Sequence, residues 1–394
     1  MALKNNTWKL NQWYDQDVAG NVSYSTTLKE LYTWGAAGQG RLGINLPQNQ
    51  SRSSPTQIPG TTWRSVSCDA GAYNVGFSLA TRTDGTLWAW GGNWQGNLGQ
   101  NSIGNPSDMG LSSPTQIPGT TWSGHVTVSQ HASSAVKTDG TLWMWGYNTS
   151  GQLGQNNRTS YSSPVQVPGT TWTTTEYVND GNWAGFLLGK TDGTMWGIGS
   201  NGWGDLGQNN TTSYSSPVQI PGTWSDARAA SSSMTCATKT DGTLWTWGNG
   251  SDGRLGLNAE GIHYSSPVQI GSDTDWGITA GKVSSTSYSG IAIKTDGTMW
   301  AWGKNNKGQL GLNNVVYRSS PTQIPGTTWA TVTGDDDTLI AVKTDGTAWG
   351  WGDNSYGEVG VNDKTDYSSP TQIPGAWDVI KSAGSERMLG LKLL

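Results

Sequence analysis

The chain has 394 residues, a net charge of −5 and a charged fraction of 13%, which is about half the proportion usual in globular domains. Lysine and arginine are scattered along it, which excludes a protein that tracks a nucleic-acid backbone. No apolar run of about eighteen residues is present and no signal-peptide core follows Met1, so we expect neither membrane insertion nor secretion.

Residues 1–27 precede the first repeat, and we predict that they form an N-terminal arm outside the main domain. The arm carries Trp8, Trp13 and Tyr14 next to Asp15 and Asp17. Two interpretations remain open, because free termini are ordered only when they are tied down. The arm either packs against the closing part of the fold or docks onto a partner protein.

From residue 28 to residue 394 a single pattern recurs seven times: a Trp-Gly or its equivalent, then G-x-L-G-x-N, then S-S-P-x-Q. The asparagines that end the second element are Asn45, Asn101, Asn156, Asn209, Asn258, Asn313 and Asn362. A repeat of about fifty residues with strand-type content is typical of a radial array of small sheets. We therefore predict an all-β fold, a single seven-bladed β-propeller with four-stranded blades.

Residues 122–169 show how one repeat divides into strands. Trp122 to Ser129 is the first strand, and the second begins at Ala135. Asp139-Gly140 predicts a tight hairpin into the third strand, which ends at Trp145. The fourth strand is predicted to run over residues 165–167, with Pro164 at its first edge, where a missing N–H is tolerated.

The D-G hairpin occurs six times, whereas seven blades are expected. The seventh blade is predicted to be split between the two ends of the chain. Residues 389–392 match a second strand, and residues 31–35 match a third strand. Pairing of these segments would close the ring and remove its open sheet edges.

Nineteen tryptophans occupy repeated positions in the third strands or after the turn between repeats, and we predict that they pack between blades. The remaining aromatic residues fall in variable segments. These are the turn between strands one and two and the long connection between strands three and four, which should share one face of the ring.

Loops on a rigid scaffold are where binding usually occurs, so this variable face is the candidate site. The candidate binding residues are Tyr73, Trp94, Trp183, Trp203, Tyr288, Tyr356, Asp335, Asp336 and Asp337. Trp94 and Trp203 have an alternative role as covers for the loops beneath them. The aspartate triplet is either a calcium ligand or a solvated turn.

No pattern of catalytic residues is present, so we expect no enzyme, no cofactor and no metal site. His125, His131 and His263 lack ligand spacing, and there is no nucleophile elbow or phosphate-binding loop. Cys68 and Cys236 lie at equivalent points of two repeats, and we expect them to be small packed thiols.

The motif W-G-x-N-x-x-G-Q-L-G, preceded by D-G-T-L-W and followed by a proline, resembles the regulator of chromosome condensation repeat. The resemblance covers roughly residues 28 to 394 and implies the same propeller fold. Members of that family have unrelated functions, including nucleotide exchange on a small GTPase, ultraviolet reception and enzyme inhibition, so the fold alone implies no function. The G-W-R-H-T motif of the ultraviolet receptor is absent.

The Trp-, Gly- and Asn-rich blades are similar to versions from bacteria and their phages. On that basis we predict a non-catalytic binding or structural propeller, a phage virion surface component of tail or capsid. Its partners would be other virion proteins or a host-surface protein or glycan. The alternative is a cytoplasmic regulator of a GTPase or of another protein.

Overall fold

The computed structural model describes residues 28–46, 50–68, 76–104, 110–129, 131–173, 179–182, 185–229, 234–335, 337–383 and 387–393. These residues form β-strands and two single-turn 3-10 helices, Gly38–Gly40 and Ser251–Gly253. None of the helices in these ranges is long and apolar enough to cross a membrane.

In chain order the strands are β1 (Lys29–Gly35), β2 (Arg52–Ile58), β3 (Trp63–Cys68), β4 (Phe77–Arg82), β5 (Leu87–Gly91), β6 (Leu111–Ile117), β7 (Trp122–Ser129), β8 (Ala132–Lys137), β9 (Leu142–Gly146), β10 (Tyr161–Gln166), β11 (Asn179–Asn182), β12 (Gly185–Gly189), β13 (Met195–Gly199), β14 (Tyr214–Ile220), β15 (Trp224–Ala229), β16 (Met234–Lys239), β17 (Leu244–Gly248), β18 (Tyr264–Gln269), β19 (Val283–Ser285), β20 (Ser289–Ile293), β21 (Met299–Gly303), β22 (Arg318–Ile324), β23 (Trp329–Asp335), β24 (Thr338–Lys343), β25 (Thr347–Gly352), β26 (Tyr367–Ala376), β27 (Val379–Ala383) and β28 (Arg387–Leu393).

The strands pair into seven antiparallel sheets of four strands each, which are the blades of a propeller. Blades one to six contain β3–β6, β7–β10, β11–β14, β15–β18, β19–β22 and β23–β26. The closing blade contains β27, β28, β1 and β2. The first strand of every blade contacts the first strand of the next, and this cycle returns from β27 to β3. The first strands therefore surround the axis, and the predicted seven-bladed all-β fold is confirmed.

The closing blade combines the two ends of the described chain. β1 pairs along its whole length with β28, from Lys29 opposite Leu393 to Gly35 opposite Arg387. β2 flanks β1 on one side, and β27 flanks β28 on the other. The predicted closure by N- and C-terminal strands is confirmed.

The predicted fourth strand of the second blade was too short. β10 begins at Tyr161 and includes Pro164, which therefore lies inside the strand instead of at its first edge. Proline is tolerated there because β10 is the outer strand, and the pairing with β9 shifts between Tyr161 and Val165.

The two most constant motifs of the repeat meet at the seam between neighbouring blades. Asn101 has a φ of 56°, a left-handed conformation that asparagine tolerates better than most residues. Its N–H donates to the Ser162 carbonyl of the next blade at 2.9 Å, and its side chain accepts from Ser163 Oγ at 3.2 Å. All seven of these asparagines have positive φ and the same backbone bond. The recurring G-x-L-G-x-N and S-S-P elements are thus the two sides of one junction.

The nineteen repeated tryptophans all pack between blades, as predicted. Thirteen are buried, and the other six, which lie near the start of the third strands, are half-buried. In the second blade Trp122 lies edge-on to Trp143 with ring centroids 6.4 Å apart. Lys137 Nζ lies 3.9 Å from the Trp143 ring centroid and 5.1 Å from that of Trp122. A lysine or arginine is placed in this way against two aromatic rings in each of the seven blades.

Each D-G hairpin anchors the half-buried tryptophan through a short chain of hydrogen bonds. In the second blade the Trp143 indole N–H donates to Thr141 Oγ1 at 3.0 Å, and that hydroxyl donates to Asp139 Oδ1 at 2.7 Å. The Thr141 backbone N–H donates to the same carboxylate oxygen at 3.0 Å. The threonine hydroxyl and N–H lower the pKa of Asp139 below its ordinary value of 3.8. The same direction holds at Asp84, Asp192, Asp241, Asp296 and Asp345.

These six hairpins predict a shared loss of stability in acid. A carboxyl group whose folded-state pKa is depressed stabilises the fold above its unfolded pKa, and this contribution is lost as pH falls through the folded pKa. We expect the urea midpoint of the wild type to fall steeply below about pH 4. Asp139→Asn should lower the midpoint near pH 7, and its difference from wild type should vanish in acid. A difference that persists unchanged at low pH would contradict this origin.

Candidate functional site

The variable segments that the structure describes lie together on one face of the ring. The turn between strands one and two meets the start of the connection between strands three and four. This contact is a backbone hydrogen bond from Lys304 to Tyr288 at 3.1 Å in the fifth blade, and from Asp353 to Asp337 at 2.9 Å in the sixth. On the opposite face, the D-G and P-G turns pack together through the bond from Trp122 N to Gly85 O at 3.0 Å. We call the first of these faces the loop face.

A buried asparagine in W-G-x-N gives the long connection of the loop face its fixed shape. In the fifth blade Asn305 is fully buried, and its side-chain oxygen accepts from the Leu310 N–H at 2.9 Å. Its side-chain nitrogen donates to the carbonyls of Asn314 at 2.9 Å and Val316 at 3.1 Å. Asn148, Asn201 and Asn354 are also buried and make equivalent bonds. The loop face is therefore built on fixed connections.

The variable residue of G-x-L-G is the feature that sequence reasoning missed. It is buried in every blade, and at Arg254 and Gln309 its side chain reaches the neighbouring blade from beneath the loop face. These residues are Arg41, Asn97, Gln152, Asp205, Arg254, Gln309 and Glu358. Arg254 Nη1 donates to the Ser287 carbonyl at 3.1 Å, and Gln309 Nε2 donates to Asp337 Oδ1 at 2.5 Å. The available signal was a polar, changing residue inside an otherwise constant motif.

The backbone carbonyl of the same residue has a constant partner. It accepts the indole N–H of the buried third-strand tryptophan in the next blade, as Arg254 does from Trp302 at 2.8 Å. Five other junctions repeat this bond. At the third blade Ile198 replaces the tryptophan. One residue thus links the interblade core to the loop face.

Two predicted site residues, Tyr288 and Asp337, are brought together through a lysine. Lys304 Nζ lies 4.1 Å from the centre of the Tyr288 ring and 3.7 Å from Asp337 Oδ2. Arg254 Cζ lies 4.9 Å from the same ring. The result is a cluster of one aromatic ring, two cations and one carboxylate across blades four, five and six. We call it the Tyr288 cluster.

Trp94, Trp203 and Tyr356 remain solvent-accessible on three separate blades. Their exposed fractions are 37%, 46% and 41%. Trp94 packs edge-on to His131 at 5.5 Å, and Trp203 packs against His263 at 4.7 Å, so each covers part of a loop while still meeting solvent. Burial lowers the pKa of His131 to about 4, so its imidazole is neutral near pH 7. None of the contacts in the described ranges joins these three aromatic residues to one another.

Most of the other predicted residues lie outside the residues that the structure describes. Tyr73, Trp183, Asp336 and the arm 1–27 lie outside the described residues. Asp335 is described only through its backbone, which ends β23 opposite Thr338. Within the residues that are placed, no three His, Cys, Asp or Glu side chains are grouped to hold a metal. Cys236 is buried and Cys68 is half-buried, and neither forms a disulfide.

These features define a closed repeat propeller whose constant motifs build the seams between blades and whose variable loops share one face. Comparison with known proteins agrees with that class. The model of the regulator of chromosome condensation (RCC1) repeat matches residues 30–75, 139–175, 241–285, 296–333 and 345–386, and a second model of this repeat matches residues 282–309. The chain belongs to the RCC1 repeat family.

Two plant proteins illustrate the relatives. The ultraviolet-B receptor UVR8 of Arabidopsis thaliana is 27% identical over 314 residues, which cover 77% of this chain and 67% of the receptor. The mitochondrial RCC1 domain-containing protein RUG3 of the same plant is 28% identical over 134 residues, 32% of this chain and 28% of that protein. The matched region thus covers very different fractions of the lengths of these two relatives.

Solved structures show the same fold. Yeast RCC1 (Prp20) in its complex with Kap60 has a TM-score of 0.76 and 17% identity, with 96% of this chain and 92% of that chain covered. Human WBSCR16 has a TM-score of 0.74 and 18% identity, with 93% and 99% covered. These named relatives are cellular proteins of eukaryotes. The prediction of a bacterial or phage version therefore finds no support in them, and neither does the predicted virion role.

Proposed function

We propose that this chain is a non-catalytic protein-binding propeller that regulates a protein partner through its loop face. The observation that carries this proposal is the loop face itself, with exposed aromatics and the Tyr288 cluster on connections fixed by buried asparagines. Loops held on a rigid scaffold are a common site of binding, and aromatic residues dominate the energy of many protein interfaces.

The relatives favour this alternative over a virion component. Prp20p from Saccharomyces cerevisiae, at a TM-score of 0.77 and 17% identity, is described for its binding properties to Gsp1p and histones. The X-linked retinitis pigmentosa GTPase regulator of the dog is 28% identical over 159 residues, 38% of this chain and 15% of that protein. Regulation of a GTPase is therefore the narrower form of the proposal. The net charge of −5 is compatible with a basic histone partner but disfavours direct binding to DNA.

The proposed contact residues are Tyr288, Asp337, Trp94, Trp203 and Tyr356. Tyr73, Trp183, Asp335 and Asp336 stay predictions from the sequence. Lys304 and Arg254 join the set because they contact the Tyr288 ring. Lys304 is the better residue to change, since Arg254 is buried and also bonds to Ser287.

Site-specific photocrosslinking in cells tests the loop face. A crosslinking amino acid at Trp203 or Tyr356 should capture discrete protein adducts, whereas the same group at Thr170, in the exposed P-G turn of the opposite face, should not. When the crosslinker is at Trp203 or Tyr356, adding Lys304→Glu should weaken recovery of the adduct about tenfold or more, because it reverses a charge beside Asp337. Equal adducts from both faces, or none from the loop face, would reject the proposal.

The narrower form has its own measurement. We expect the intact ring to accelerate release of a fluorescent guanine nucleotide from its captured GTPase, and Lys304→Glu to abolish that acceleration. A captured partner that binds no nucleotide would leave the protein-binding proposal in place and remove GTPase regulation.

A further inference from the structure

The residue after L-G in the long connection divides the blades into two groups. It is aliphatic in four connections, at Ile44, Leu257, Leu312 and Val361, and glutamine in three consecutive ones, at Gln100, Gln155 and Gln208. Each aliphatic residue packs in the interblade core beside the half-buried aromatic ring of the next blade, as Leu312 does with Trp349. The three glutamines place an amide at this point of the groove between blades.

The three glutamine side chains adopt the same arrangement. Gln100 Nε2 donates to the carbonyls of Gln116 at 3.2 Å and Leu98 at 3.4 Å. Gln155 and Gln208 make the equivalent pairs of bonds, at 3.1 and 3.2 Å and at 3.0 and 3.1 Å. Both amide protons are used in this way, so each side chain keeps its Oε1 as an acceptor. Within the described ranges this oxygen has no hydrogen-bond donor.

An open groove accompanies the first glutamine. It encloses about 320 Å³ between blades one and two, and it is lined by Gln100, Asn101, Pro118, Trp122, Lys137 and Trp143. Its volume is at the lower end of ordinary ligand sites, which run from about 300 to 1,000 Å³. Asn101 accepts from Ser163 through Oδ1, which leaves its amide N–H groups as donors toward the groove.

Lys137 lines the groove at Gln100, and neither it nor the equivalent Lys190 and Lys239 makes an ion pair with any described residue. Lys137, Lys190 and Lys239 lie 3.9, 4.3 and 3.6 Å from the ring centroids of Trp143, Trp196 and Trp245. Lys294 of the fifth blade is instead paired with Asp273 at 2.6 Å and Asp275 at 3.0 Å, whereas Lys343 of the sixth blade also makes no ion pair with a described residue, so the glutamine amide is what distinguishes the three positions. The aspartate nearest in sequence to Lys137 is Asp139, which accepts from Thr141. The ammonium groups of Lys137, Lys190 and Lys239 thus remain available to an anion.

We propose that the groove at Gln100 and the equivalent positions at Gln155 and Gln208 are subsites for one carboxylate-bearing oligosaccharide. The sugar ring packs beside the half-buried tryptophan, one face of which the lysine already covers, and its hydroxyls donate to Gln Oε1 and accept from the Asn amide. The sugar carboxylate meets the lysine in a charge-assisted hydrogen bond. Three like subsites on neighbouring blades suit a polymer with a repeated unit, because linked weak contacts add to the overall affinity.

This site is distinct from the loop-face contacts of the proposed function. It combines a donor, an acceptor, a cation and an aromatic face in a shallow, half-exposed groove. An acidic peptide would use the cation, but it offers few hydroxyls to pair with both amides. The experiment must therefore distinguish binding of an acidic peptide from binding of an acidic sugar.

Isothermal titration with oligogalacturonates and sialylated oligosaccharides of increasing length tests the proposal. We expect longer acidic oligomers to bind more tightly, and methyl-esterified oligogalacturonate to bind about tenfold more weakly because its carboxylates are masked. Gln100→Leu, Gln155→Leu and Gln208→Leu should each weaken binding about fivefold to tenfold, and the triple variant should show none.

The leucine variants carry their own structural control. Leucine already occupies this position at Leu257 and Leu312, so the substitution copies a groove that the protein itself fills. If a variant fails to fold by near-ultraviolet circular dichroism, Lys137→Met, Lys190→Met and Lys239→Met replace it, since methionine keeps an apolar stem on the rings. Binding that survives both triple variants overturns the proposal. The proposal is also overturned if no acidic sugar binds. It is overturned as well if poly-glutamate binds equally tightly and loses binding in the same variants.

Discussion

Replacing Arg387 with methionine is expected to lower the free energy of unfolding by about 3 kcal/mol or more, because two charge-assisted hydrogen bonds are lost. Arg387 begins β28 in the closing blade, and it is fully buried. Its guanidinium donates to the Phe77 carbonyl of the first blade at 2.8 Å and to the Arg41 carbonyl of the closing blade. One side chain therefore ties the C-terminal strand to the N-terminal part of the chain.

The effect should be largest at the junction that closes the ring. The other blades are each formed by one continuous segment, whereas the closing blade depends on β1 pairing with β28 from the far end of the chain. We expect hydrogen exchange in Arg387→Met to rise first in β27, β28 and β1. Arg158→Met is the matched control, because Arg158 is exposed in the second blade. Urea unfolding measures both variants, and equal stabilities would show that Arg387 does not secure closure.

The second large effect is expected at Asp226, a fully buried carboxylate in the first strand of the fourth blade. Its Oδ2 accepts the backbone N–H groups of Lys282 at 2.8 Å and Val283 at 3.0 Å. These two residues precede and begin β19, the short first strand of the fifth blade. Lys282 Nζ in turn donates to the Ala330 carbonyl of the sixth blade at 2.6 Å. Asp226 thus begins a chain of polar contacts across three blades.

Asp226→Ala should cost about 2 kcal/mol or more in urea unfolding, because two backbone N–H groups lose their acceptor next to the buried core. Asp273→Ala is the control. Its carboxylate is exposed and paired with Lys294, and such pairs contribute little. If the two alanine variants lose the same stability, the buried carboxylate is not the anchor of β19.

The pH dependence of Asp226 runs opposite to that of the hairpin aspartates. Burial raises the pKa of Asp226, and the charges of Arg228 and Lys381 and the two N–H donors oppose that shift only in part. A raised folded-state pKa means that its contribution is fully present below the unfolded pKa and is lost as pH rises through the folded one. The stability advantage of the wild type over Asp226→Asn should therefore shrink between acid and neutral pH. An advantage that grows over this interval would contradict the raised pKa.

The repeat pattern alone predicted the number of blades, the split closing blade and the separation of two faces. These features follow from local signals repeated along the chain. D-G turns and alternating strands specify each sheet, and one hairpin too few shows that the last sheet must be shared. The same signals placed the tryptophans between blades. The outer strand was misjudged at Pro164 because a proline inside an edge strand looks locally like a strand boundary.

Contacts between blades were decided by the tertiary structure. Nothing near Gln309 in the sequence indicates that its amide reaches Asp337, or that Lys304 joins Asp337 to Tyr288. Gln100 and Leu312 occupy the same place in the repeat, yet only the packing of the next blade shows that one borders an open groove and the other fills it. Local sequence determined each blade because its hydrogen bonds form within about fifty residues. The sites depend on which side chains face each other across a seam, and that was set only when the ring closed.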